Sequence, residues 1–94
     1  MKGVRSFKNR LAKDLKDPAF RRAFEEEEIY AGIAINIARL RDKKKLSQKE
    51  LAELVGTTQQ TISRIEDPRN TSLSIDTLLR IADALGKRVE VKIA

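Results

Sequence analysis

The sequence predicts an all-α chain of five to six helices, with a helical extension at its N-terminus and one β-strand at its C-terminus. Three observations lead there. Residues 47–66 hold two short apolar-periodic stretches, each with its own cap, separated by Gly56. Residues 29–41 and 74–85 are longer, with apolar side chains three and four apart. Residues 87–94 instead alternate polar and apolar in period two. The chain divides accordingly into an extension over 1–28 that packs on the core, a central unit over 29–86 and a terminal strand over 87–94.

In the extension, Phe7, Leu11 and Leu15 recur every four residues behind Ser6, which can act as a cap, so 6–16 reads as a short amphipathic helix. Asp17-Pro18 is a restart signal, aspartate as N-cap and proline in the first turn, and Phe20 and Phe24 mark one face of the next helix. All three phenylalanines precede residue 25 and either pin the extension to the core or form a docking surface for a partner. The acids Glu25 to Glu28 read as a solvated helix face or a break between helices. Residues 29–41 follow as an unusually apolar helix with Ile29, Ile33, Ile37 and Leu40 as its main stripe. Ile35 and Ala38 lie off that stripe, and Gly32 permits close approach there by the extension or another subunit. Lys43 to Lys45 suit the dipole at the end of this helix.

Ser47 and Glu50 stand at capping-box spacing and Leu46 and Leu51 at staple spacing, so a helix starts at Gln48. Gly56 ends it. Thr58 caps the next, in which Ile62 and Ile65 form one apolar stripe, leaving Gln59, Gln60, Ser63 and Arg64 facing outward. Residues 67–72 are a polar turn. Ser74 then caps a helix with Ile75, Leu78, Leu79, Ala82 and Leu85 toward the core, stopped by Gly86. The strand over 87–94 has no partner in the chain. Pairing with a second copy through Val89, Val91 and Ile93 would satisfy it, the alternatives being a partner's sheet edge or a frayed tail.

A chain of 94 residues makes one domain, and its net charge of +6, divided as +2 over 1–28 and +4 over 29–94, suits a polyanionic partner. With no cysteine and no histidine, disulfides, thiolate or imidazole metal sites and the usual nucleophile–base pairs are excluded. No catalytic residue, metal or cofactor is expected. No apolar run nears the roughly 18 residues of a membrane span and no signal-peptide hydrophobic region is present, so a cytoplasmic protein without membrane association is expected.

The outward residues of the helix capped by Thr58 carry base-reading chemistry. Glutamine amides bond bidentately to adenine N6 and N7 in the major groove, and the arginine fork fits guanine O6 and N7. Gln59, Gln60, Ser63 and Arg64 are therefore candidate base contacts, and Thr58, Thr61, Arg69, Asn70 and Thr71 candidate phosphate contacts. One such unit touches few bases. A homodimer places two units roughly 34–36 Å apart on double-stranded DNA, which predicts a palindromic operator.

Residues 47–66 resemble the helix-turn-helix of Cro/CI-type (XRE) regulators, whose second helix enters the major groove while the first crosses the backbone. Ala52 stands where that family wants a small residue, Gly56 takes the turn and Ile62 is the buried hydrophobe of the reading helix. The run Gly56-Thr57-Thr58-Gln59-Gln60 also looks like the corresponding stretch of some lambdoid phage repressors. That resemblance implies base contacts by Gln59 and Gln60 and a backbone anchor at Gln48. Arg64 departs from the closest repressors, which look to have glutamine there, so a different operator is expected. Leu15-Lys16-Asp17-Pro18-Ala19-Phe20-Arg21 and residues 84–91 look like stretches of HigA-type antitoxins, and the 67–73 loop and terminal segment are similar to HipB-type antitoxins. This implies a dimeric repressor of its own operon that also binds a toxin encoded beside it. A stand-alone repressor, and an interaction module with vestigial DNA binding, are the competing readings.

Overall fold

The computed structural model describes residues 9–94. Among the described residues are five helices and no strand: α1 (9–14), α2 (Pro18–Lys43), α3 (Gln48–Val55), α4 (Gln59–Ile65) and α5 (Ile75–Ala84). Ser6 and Phe7, read as the beginning of the first helix, lie outside the described residues.

Local chemistry sets most helix ends. The Asp17 carboxylate accepts from the Ala19 N–H at 3.0 Å, and Pro18, which has no N–H to leave unsatisfied, opens α2. From there α2 runs unbroken for 26 residues, about 39 Å at 1.5 Å per residue. Glu25 to Glu28 are exposed within it, so this run is a solvated helix face and not a break. Glutamate is a good helix former, and no residue between Pro18 and Lys43 removes a backbone donor. The boundary drawn at residue 28 thus falls inside a continuous helix.

Gly32 sits exposed in the middle of α2, and apart from its chain neighbours and the helix's own backbone no described atom lies within 4 Å of the position its Cβ would take. Gly32→Ala is therefore expected to stabilise the chain by about 0.5–1 kcal/mol, by removing backbone freedom from the unfolded state. A higher urea midpoint at unchanged slope is the expected result, and a lower midpoint would reveal something packed on that face.

The core lies where α2, α3, α4 and α5 meet. Leu51, Ile62, Ile81 and Leu85 are fully buried, joined by Ile37, Ala52 and Ile65. Burying each large side chain contributes roughly 1.5–3 kcal/mol. From the expected stripe of α2, Ile37 is buried, Ile33 and Leu40 pack half-buried against the cluster, and Ile29 is 63 % exposed. The expected face of α5 needs correction. Ile75 and Leu79 are exposed, whereas Ile81, which was not assigned to that face, is buried. Leu78, Ile81, Ala82 and Leu85 fall within an arc of about 100° around the helix, and Ile75 and Leu79 lie about 20° and about 60° beyond its edge. The apolar arc of α5 is wider than the surface its neighbours cover.

The C-terminal β-strand is also corrected. Helix α5 ends at Gly86 in the left-handed region (φ 67°), where the Lys87 N–H donates to the Ala82 carbonyl at 2.8 Å, and residues 87–94 that follow have no regular structure. Alternation alone cannot make a strand, because its N–H and C=O groups need a neighbouring ladder and no described segment pairs with it to supply one.

Candidate nucleic-acid interface

The interface is built by three caps and one turn. Ser47 and Glu50 form a reciprocal capping box, Ser47 Oγ accepting from the Glu50 N–H at 3.0 Å and Glu50 Oε1 from the Ser47 N–H at 2.9 Å. The hydrogen bond from the Ser47 N–H, and after it the nearby Ser47 hydroxyl, hold the Glu50 carboxyl below its ordinary value. Gly56 closes α3 at φ 83°, a conformation costly for any residue with a Cβ. Thr58 Oγ1 then accepts from the Thr61 N–H at 3.1 Å and starts α4.

With Ile62 and Ile65 buried, helical geometry turns the rest of α4 outward: Gln59, Gln60, Ser63 and Arg64 are all exposed. A shallow depression of about 430 Å³ lies along this face, lined by Gln60, Thr61, Ser63, Arg64 and Asp67. It gathers amide, hydroxyl and guanidinium donors on one short helix, the chemistry that base edges in a major groove require.

All the candidate phosphate contacts but Thr71 make hydrogen bonds within the chain. Thr58 and Thr61 share a hydroxyl–hydroxyl hydrogen bond of 2.8 Å beside the cap. Asn70 organises its own loop, its Oδ1 accepting from the Ser72 N–H and its Nδ2 donating to the Ser72 carbonyl. Thr71 is exposed. Arg69 folds back on Asp67, with Nε 3.1 Å from Oδ1 and Nη2 3.0 Å from Oδ2. Hydrogen bonding between the two holds the Asp67 carboxyl below its ordinary value and raises the Arg69 guanidinium.

Gln48 belongs to a network that the sequence reading missed. Glu66, whose side chain is 5 % exposed, receives Arg41 Nε at 2.7 Å and Nη2 at 3.0 Å, and also Gln48 Nε2 at 3.1 Å. Arg41 Nη1 donates to the Leu46 carbonyl at 2.7 Å. Hydrogen bonding to Glu66 raises the Arg41 guanidinium above its ordinary value against the opposing cost of burial. The network ties the last turn of α2 to the end of α4 and to the first residue of α3, so it fixes α4 relative to the rest of the fold. A carboxylate facing the Gln48 amide also forces its NH₂ inward, since the amide oxygen would be repelled. Because Arg41 and Glu66 are 25 residues apart, no local spacing announces the pair.

The residues expected at a dimer interface are placed differently from one another. Val89 is half-buried, whereas Val91 and Ile93 are 80 % and 97 % exposed. Val89 and Val91 border a second groove of about 430 Å³, which Ile33, Ile37 and Leu85 also line. Among the described residues, no group of three or more acidic side chains could hold a metal ion. No described helix is long and apolar enough to cross a membrane.

A helix-turn-helix family model matches residues 37–91, from the second half of α2 through α3, α4 and α5. Comparisons with curated proteins and with solved structures gave no match. The matched span exceeds half of the chain and contains the capped pair α3 and α4, the glycine turn between them, α5 and the C-terminal end of α2. This family is one of DNA-binding domains and not a class of enzymes. The chain belongs to the helix-turn-helix family and is a DNA-binding regulator of the XRE type.

Proposed function

We propose that the protein is a sequence-specific repressor of its own operon and the antitoxin of a toxin–antitoxin pair, acting in the cytoplasm as a homodimer on a palindromic operator. The observation that carries the repressor reading is the α4 face, where Gln59, Gln60, Ser63 and Arg64 stand exposed over a helix whose other side is buried. Gln48, Thr58, Thr61, Arg69, Asn70 and Thr71 would position the unit on the phosphate backbone. Exposure of Val91 and Ile93, with Val89 beside them, supports dimerisation through the C-terminal segment. The antitoxin role rests on the stretches that resemble HigA- and HipB-type proteins. It is supported by the part of α2 that precedes the family match, where Phe20 and Phe24 stack with centroids 6.4 Å apart and Phe20 is 39 % exposed.

Fluorescence anisotropy with the DNA upstream of the gene, against scrambled DNA of equal length at two salt concentrations, tests the repressor. Saturable binding that prefers the native sequence at both salts is expected. Equal binding to both DNAs, abolished by salt, would remove sequence-specific repression. Adding the product of the adjacent reading frame then separates the antitoxin, which forms a complex with it, from a stand-alone repressor, which does not.

A further inference from the structure

We propose that Asp67 is a specificity-determining residue that masks Arg69 from phosphates and so holds down binding to non-operator DNA. This rests on the reading that the α4 face contacts DNA. Asp67 lines the depression on that face together with Gln60, Ser63 and Arg64, so a carboxylate stands among the groups that would meet the groove. Arg69 grips it with two parallel donors, Nε to Oδ1 at 3.1 Å and Nη2 to Oδ2 at 3.0 Å. That fork is the geometry by which arginine binds a phosphate, so the donors best suited to the DNA backbone are already occupied.

The turn is built to keep this pairing. The Arg69 N–H donates to Asp67 Oδ1 at 2.9 Å, and the Asn70 N–H donates to the Asp67 carbonyl at 2.9 Å. Pro68 fixes one backbone angle between the two side chains. Because the Arg69 side chain is 90 % exposed, the ion pair is screened by water and a phosphate in the right place can compete for the guanidinium. Asp67 therefore acts as a filter. On non-operator DNA the arginine remains neutralised, which lowers the charge-driven affinity common to all sequences and widens the gap to the operator.

The test is a four-protein cycle of wild type, Asp67→Asn, Arg69→Gln and the double variant, measured on scrambled DNA between 50 and 200 mM salt. Asparagine keeps the oxygen that accepts the Arg69 N–H, so the turn is retained, and circular dichroism confirms the fold. Asp67→Asn should bind scrambled DNA roughly three- to tenfold more tightly at the lower salt. Its affinity should fall about 3.5-fold further across the salt range, the effect of one added phosphate neutralised. On the Arg69→Gln background the same Asp67→Asn change should give no gain. Unchanged binding by Asp67→Asn, or a gain that survives in the double variant, would overturn the masking role. The cycle uses no operator sequence, so these outcomes do not depend on which bases α4 reads. Absence of any DNA binding by the wild-type chain would overturn the contact reading itself, and the masking with it.

Discussion

Replacing Glu66 by alanine is expected to lower the free energy of unfolding by about 3 kcal/mol, the largest effect of any single change outside the apolar core. The substitution leaves Arg41, 16 % exposed, without its carboxylate, and frees the Gln48 amide as well. Breaking a buried ion pair from one side costs roughly 3–5 kcal/mol, because the remaining charge is desolvated without compensation. Arg41 retains some access to water and its bond to the Leu46 carbonyl, which places the effect at the lower end. For a small domain stable by about 5–15 kcal/mol this is a large fraction. Urea titration should show a lowered midpoint at constant slope. The paired change Arg41→Met with Glu66→Leu should recover most of the loss, since apolar replacement of both partners removes the desolvation cost. A Glu66→Ala protein as stable as wild type would show that the network contributes nothing to the fold.

Gln59→Ala combined with Gln60→Ala should remove about 2–6 kcal/mol of discrimination between operator and scrambled DNA, from two bidentate base contacts of about 1–3 kcal/mol each. Both side chains are exposed on α4, so the fold is expected to be unaffected. Nonspecific, salt-sensitive binding should persist, because replacing two neutral amides leaves the net charge of +6 untouched. Anisotropy on both DNAs at two salts separates the effects: the two curves should converge, at the slope of the scrambled DNA. If the double variant kept the wild-type preference, these glutamines would not be the reading residues, and Ser63 and Arg64 would remain the candidates.

The two predictions draw on different levels of information. Gln59 and Gln60 are legible in the sequence, because Thr58, Ile62 and Ile65 fix the phase of a short helix and leave only one direction for the amides. Glu66 is not legible in that way. It stands at the C-cap of the same helix and looks like any polar residue ahead of a turn, and its partner Arg41 looks like a cation placed for the helix dipole. Asp67 and Arg69 fall between these cases. They are two apart in one turn, near enough to suggest an ion pair, yet only the folded chain places Asp67 beside Gln60 and Arg64.

By itself the sequence determined the caps at Asp17, Ser47, Thr58 and Ser74 and the helix stops at Gly56 and Gly86. Each depends on residues within about four positions, where a side chain and the backbone it satisfies are held together by the chain itself. Only the tertiary structure decided the rest. It chose Ile81 over Ile75 and Leu79, because periodicity marks an apolar arc but not how much of it the neighbouring helices cover. It left the alternating segment after Gly86 without a strand, since a ladder needs a second backbone that no described segment provides. And it joined Arg41, Gln48 and Glu66, because an ion pair is set by distance in space, to which separation along the chain gives no guide.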